Sequence, residues 1–128
     1  MIAKNNIFNI RQGAKWQGMT GTKKGFVEFE TREYALRAWL ILMRTYRRRY
    51  NCRTVEQIVT RYAPPNENDT EQYMAFCCRE VGVSADDELT SLTMYAMLGK
   101  AMAKMETGTL LHPNDILEVM NRFQIRVV

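Results

Sequence analysis

Thr90-Ser91-Leu92-Thr93-Met94-Tyr95-Ala96-Met97-Leu98-Gly99-Lys100-Ala101-Met102-Ala103-Lys104-Met105-Glu106-Thr107-Gly108 is the stretch on which the fold turns. Tyr95, Leu98, Met102 and Met105 recur at three- and four-residue spacing, which predicts an apolar stripe along a helix. Thr90 can cap its start, and Gly108 can end it by taking the left-handed conformation that closes helices. Glu106 then falls on the last turn, within a turn of Met102 and Met105. A carboxylate is mildly unfavourable at that end of the helix dipole, and its plain reading is an exposed charge. An apolar setting beside a cleft would instead lift its pKa and make it a proton donor.

Helical signals extend in both directions from this segment. Downstream, Pro113 suits the first turn of a final helix carrying Ile116, Leu117 and Met120, and residues 124–128 read as a short extended tail. Upstream, Asp69 with Gln72 opens a helix bearing Tyr73, Phe76, Cys77 and Val81, which ends at Gly82. Thr54 with Gln57 forms a capping box for a short helix with Val55, Ile58, Val59 and Tyr62, stopped by Pro64-Pro65. Between these two, Asn66, Asn68 and Thr70 suit a polar turn, and Glu67 adds a carboxylate there. Thr31 can cap a helix over 32–50 with Ala35, Ala38, Trp39, Leu42 and Tyr46 on one face. Trp39, Leu42, Phe76, Leu98 and Met102 are expected in the core.

Residues 1–30 differ in kind. Gly13, Gly18, Gly21 and Gly25 punctuate them, and Phe26-Val27-Glu28-Phe29 is the best strand candidate. A small β-lobe is expected, tied to the body by Ile7, Phe8, Ile10 and Trp16. The whole reads as one domain over 1–128, with a lobe at 1–30 and a helical body at 31–123. The expected class is α+β, predominantly helical, with about five helices.

Bulk properties exclude several function classes. The 128 residues are 46% hydrophobic and 25% charged, as in an ordinary globular domain, so wholesale disorder is excluded. The longest apolar run, Ala38 to Met43, is too short to span a bilayer. Met1-Ile2-Ala3-Lys4-Asn5-Asn6 lacks the apolar core of a signal peptide, so cytoplasmic synthesis is expected. Three cysteines, two of them adjacent, suit a reducing compartment. With His112 the sole histidine and no CxxC pair, no metal site and no cofactor are expected. The net charge of +4 is concentrated in Arg44, Arg47, Arg48, Arg49 and Arg53. A solvated helix end explains that block, and contact with a polyanion is the sharper alternative.

Two resemblances bear on function. Asn9-Ile10-Arg11, Trp16-Gln17-Gly18 and Phe26-Val27-Glu28-Phe29, with Arg61-Tyr62-Ala63-Pro64-Pro65-Asn66-Glu67-Asn68-Asp69-Thr70 and Tyr73, resemble the pattern of lysozyme-like phage and prophage virion proteins. Ala63 to Asn68 is the most specific part. In addition, Asn5-Asn6-Ile7-Phe8-Asn9-Ile10 with Trp16 is similar to a segment of cell-wall glucosaminidases in which a catalytic Glu precedes that segment. Here no such Glu precedes it. Instead Glu106-Thr107-Gly108 resembles the Glu-Ser-Gly that closes the catalytic helix of lysozyme-like lytic transglycosylases, moved to the other end of the chain. Glu106 lies 22 residues before Val128, so joining the ends would restore the usual order. The implied fold is lysozyme-like and circularly permuted, which close termini make physically cheap.

The resemblance implies a glycan-strand hydrolase of peptidoglycan (muramidase, glucosaminidase or lytic transglycosylase), carried by a virion or delivered to the periplasm and cell wall. It makes Glu106 the catalytic acid. Glu28 is the candidate second carboxylate, since Glu28 and Glu30 share one strand face and Phe26 and Phe29 bracket Glu28. Trp16, Tyr62, Tyr73 and Asn66 are the candidate glycan-binding residues, although aromatics at such spacings are commonly core. The rival reading is a non-enzymatic virion component that binds glycan or other virion proteins. A nucleic-acid-binding module using the arginine block is the weakest of the three.

Overall fold

The computed structural model describes residues 2–66 and 69–128, so Glu67 and Asn68 lie outside the described residues. Two strands, β1 (Met19–Lys23) and β2 (Phe26–Phe29), precede five helices, α1 (Arg32–Tyr50), α2 (Val55–Tyr62), α3 (Thr70–Val81), α4 (Leu92–Thr107) and α5 (Pro113–Arg122). The chain is therefore α+β and mostly helical. The strands pair antiparallel, Lys23 opposite Phe26 and Thr22 opposite Val27, with an irregularity between Met19 and Gly21. Lys24 and Gly25 turn the hairpin with φ of 50° and 86°, the paired positive values that match the strands' twist. Val27 and Phe29 point into the core.

Consecutive asparagines anchor the loop that leads into the hairpin. Asn6 is fully buried; its Nδ2 donates to the carbonyls of Ile10 (2.9 Å) and Val27 (2.8 Å), and its Oδ1 accepts from the Ile10 amide at 2.9 Å. Asn5 Nδ2 reaches the carbonyls of Phe29 and Glu30. Phe8, thus fixed, stacks on Trp39 of α1 with centroids 5.1 Å apart. Both rings are fully buried.

Helix α4 is the centre of the body. Tyr95, Ala96, Leu98, Gly99, Ala101, Met102 and Ala103 are all buried, so it is apolar on most of its circumference and packs between α3 and α5. Gly99 permits this approach. A Cβ there would lie 2.6 Å from Ile116 Cδ1 and 3.0 Å from the Trp39 ring. Full burial of a side chain such as Leu98 is worth about 1.5–3 kcal/mol relative to exposure.

The helix ends follow local chemistry with few departures. Thr54 and Gln57 form the reciprocal capping box, Asp69 accepts from the Gln72 amide, and Gly82 and Gly108 close α3 and α4 with φ of 81° and 71°. Thr31 occupies the start of α1 without a side-chain cap bond. The cap of α4 is Ser91, not Thr90: Ser91 accepts from the Met94 amide at 3.1 Å. The segment before it is held extended, since the Leu89 amide donates to the Arg53 carbonyl and Thr54 bridges to Glu88. Thr90 therefore cannot start the helix. Trp39, Leu98 and Met102 are fully buried, whereas Leu42 and Phe76 are only partly so. Leu42 falls short because its edge of α1 lines a cavity.

Arg47 also departs from a purely solvated collar. Its guanidinium donates to the Leu89 carbonyl at 2.8 Å and to the Tyr95 hydroxyl at 3.4 Å, and it pairs with Glu88 at 3.9 Å. It ties α1 to the entry of α4. Among the described residues no helix is long and apolar enough to cross a membrane.

Candidate functional site

A cavity of about 520 Å³ opens between the lobe and the helical body. Asn9, Ile10, Arg11, Ala14, Trp16 and Phe26 line it from the lobe side. Leu42 and Tyr46 of α1, Arg61 and Tyr62 of α2, the following Ala63 and Pro64, and Glu106 of α4 line it from the body. Glu106 is the sole carboxylate among the described lining residues.

Three successive residues of the lobe hold the three parts of this site in place. The Ile7 carbonyl accepts from Thr107 Oγ1 at 2.8 Å, and the Phe8 carbonyl accepts from the Tyr62 hydroxyl at 2.6 Å. Asn9 Nδ2 donates to the Glu106 carbonyl oxygen at 3.0 Å and to its Oε1 at 3.2 Å. Asn9 itself takes φ of 52°, a left-handed conformation that asparagine tolerates better than most residues. From α3, the Tyr73 hydroxyl donates to Glu106 Oε2 at 2.8 Å. Both carboxylate oxygens are thus positioned by a donor.

Burial lifts the Glu106 pKa above the ordinary carboxylate value. The bonds from Tyr73 and Asn9 and the positive field of Arg11 oppose that rise without cancelling it. The Tyr73 and Tyr62 phenols are pushed far up, first by burial and then by the nearby Glu106 charge. Tyr73 therefore keeps its proton and can donate it in a hydrogen bond to the Glu106 carboxylate. Burial, partly offset by Arg61, moves Tyr46 to about 12. Burial also pushes the Cys77 thiol to about 12, which leaves it unreactive. Among the described residues no group of three or more His, Cys, Asp or Glu could hold a metal ion.

The residues singled out in the sequence separate into three groups. Glu106, Trp16 and Tyr62 come together on the cavity. Tyr73 lies beneath it rather than on it: the side chain is buried, and its hydroxyl serves Glu106 instead of offering a ring face. Glu28 and Asn66 are elsewhere. Glu28 is drawn along the hairpin, where its Oε2 accepts from the Lys4 amide at 3.4 Å, and Asn66 is exposed in the turn after α2. Neither lines the cavity, so the second-carboxylate role expected of Glu28 has no support in this geometry.

Asn9, Arg11 and Arg61, quoted above only within the family motifs, and Tyr46, placed on the apolar face of the first helix, also line the cavity. Arg61 immediately precedes Tyr62 in a helix of 3.6-residue period, so its exposed position and Tyr62's half-buried one both reach the same rim. Asn9 stands in both motifs that carry the resemblances, but nothing local to it points to a helix end 97 positions away.

No family model matches the chain. Over 129 aligned positions it is 34% identical to protein P5 of Pseudoalteromonas phage PM2, a match covering 96% of this chain and 79% of that protein. The chain belongs to the P5 family. A P5-family chain is thus a phage-type protein, in agreement with the phage part of the expectation. The P5 likeness covers both halves of the cavity, since it spans nearly the whole chain.

Proposed function

We propose that this P5-family protein cleaves the glycan strand of peptidoglycan, with Glu106 as proton donor, in a circularly permuted lysozyme-like fold. The observation that carries the reading is the Glu106 carboxyl group, its pKa raised by burial, held by Tyr73 and Asn9 at the wall of an open cavity. Glycosidic cleavage needs a proton on the leaving oxygen as the C–O bond breaks, and an apolar setting keeps such a donor protonated near neutral pH. Trp16 and Tyr62 supply aromatic surface for sugar rings on the same wall.

With one carboxylate on the described walls, the lytic transglycosylase route is favoured. Protonated Glu106 gives its proton to the glycosidic oxygen, and the bond to C1 breaks. The resulting carboxylate then takes the proton from the C6 hydroxyl of the same sugar as that oxygen closes on C1. The product is an anhydro-sugar, and Glu106 ends in its starting form. A phage relative supports a setting in a virion, from which the protein would meet the cell wall during entry or exit. Internal use of Arg47 weighs against a nucleic-acid surface on the arginine block.

The deciding experiment is digestion of purified peptidoglycan followed by mass analysis of the products. Anhydro-muropeptides are expected. Reducing ends carrying one added water would indicate hydrolysis instead, and intact glycan across several peptidoglycan types would favour a non-enzymatic virion component.

A further inference from the structure

Arg61 stands at the cavity rim in an unusual state for an exposed arginine. Its guanidinium carbon lies 3.6 Å from the Tyr50 ring centroid and 5.3 Å from that of Tyr46, so the cation is held in face contact with α1. Among the described residues no carboxylate lies within ion-pair distance of it. A guanidinium in contact with a ring keeps its planar fork of N–H donors, the geometry that suits the two oxygens of a carboxylate. The side chain has already lost the rotamer freedom that a surface ion pair would otherwise cost.

The cavity's charge points the same way. Arg61 brings a cation to the cavity lining, where burial biases Glu106 towards its neutral form.

We infer that Arg61 recognises a carboxylate carried by the glycan beside the bond that Glu106 protonates. The substrate class is therefore an acid-bearing aminosugar strand rather than a neutral chitin-like one. The inference rests on the glycan-cleavage reading for its setting but concerns binding, and binding can be measured without turnover. Two sources share the required chemistry: the ether-linked lactyl carboxylate on the sugar and the carboxylates of an attached peptide stem.

Calorimetric titration of the Glu106→Gln protein tests it, with and without Arg61→Gln. The probes are amidase-stripped peptidoglycan strands, which keep the lactyl group alone, strands with intact stems, and a chitin oligosaccharide of matched length. Stripped strands should bind about ten-fold tighter than chitin, the scale of one charge-assisted contact. Arg61→Gln should remove that preference and leave chitin affinity unchanged, which also certifies the variant's fold. Arg61→Lys should restore it only in part, since a point charge lacks the fork. A preference seen only with intact stems would place the carboxylate on the peptide. Equal affinity for stripped, stem-bearing and neutral strands, a preference that survives Arg61→Gln, or binding of short duplex DNA in place of glycan would each overturn the inference. Selective binding of acidic strands by a wild-type protein that cuts none would retain it and remove the enzymatic reading instead.

Discussion

Asn9 and Glu106 lie 97 positions apart in the chain, yet one side-chain amide bridges both the backbone carbonyl and the carboxylate of the glutamate. The same short loop receives Thr107 at Ile7 and Tyr62 at Phe8. Burying Asn6 beneath this loop, with three bonds to its own backbone and β2, makes the loop a rigid cradle. A polar segment near the start of the chain thus sets the geometry of a helix end near its finish. That closeness is what a permuted lysozyme-like order would require.

The pH dependence of Tyr73→Phe follows from which form of Glu106 the hydroxyl favours. Tyr73 donates to the carboxylate, so it stabilises the charged form and holds the pKa down against burial. Removing the hydroxyl should raise the Glu106 pKa further. Cleavage needs the protonated acid, so the alkaline limb of the rate profile should move to higher pH than in the wild type. A profile of rate against pH for the two proteins reads this directly, and a limb moving down would show that Tyr73 holds the neutral form.

The same pKa predicts how stability changes with pH. Glu106 has a folded-state value above its unfolded one, so its contribution is fully present below the unfolded value and is lost as pH rises through the folded value. Glutamine does not titrate. Glu106→Gln should therefore gain stability relative to wild type between about pH 4 and about pH 8, as the wild-type carboxyl ionises in a partly buried site. Urea unfolding at both pH values measures the difference, and a difference independent of pH would contradict the raised pKa.

What was legible in the sequence was chemistry that acts locally. The Thr54–Gln57 box, the Asp69 cap, the glycine stops at Gly82 and Gly108 and the strand Phe26–Phe29 each depend on residues within a few positions of one another. Departures arose where distant contacts decide. Thr90 and Ser91 are equal as caps in sequence, and only the pairing of residues 88–89 with 53–54 selects Ser91. Tyr73 reads as a stacking ring, but the packing of α3 on α4 buries it and turns its hydroxyl to Glu106. Glu28 has the right residue type and strand phase, and its carboxylate turns to the Lys4 amide and is not among the residues that line the cavity.

Gly99→Ala tests the packing that holds α4 in place. The added methyl would meet Ile116 Cδ1 at 2.6 Å and the Trp39 ring at 3.0 and 3.1 Å, contacts that require two large buried side chains to move. Helix propensity favours alanine by about 1 kcal/mol, whereas overpacking costs roughly 1–3 kcal/mol. A net loss is expected, measured as a lower urea midpoint with an unchanged slope. A gain in stability would mean that Ile116 yields freely and that the approach of α4 to α5 is looser than the distances imply.

Paired substitutions at the two carboxylates separate their roles in cleavage. Glu106→Gln keeps the shape of the cavity wall, with the amide oxygen accepting from Asn9 and the amide NH2 donating to the Tyr73 oxygen in place of the bond it received, but it cannot give a proton to the leaving oxygen. Peptidoglycan cleavage should fall by at least about 10²-fold, the usual share of general acid catalysis. Glu28→Gln should leave the rate within about two-fold, because Glu28 lies off the cavity and its contact with the Lys4 amide survives in the amide side chain. Turbidity clearance of cell-wall suspensions by both variants gives the comparison, with far-ultraviolet circular dichroism to establish that each is folded. A fully active Glu106→Gln protein would move the acid elsewhere. Loss of activity in Glu28→Gln alone would show that the hairpin swings Glu28 onto the substrate when glycan binds.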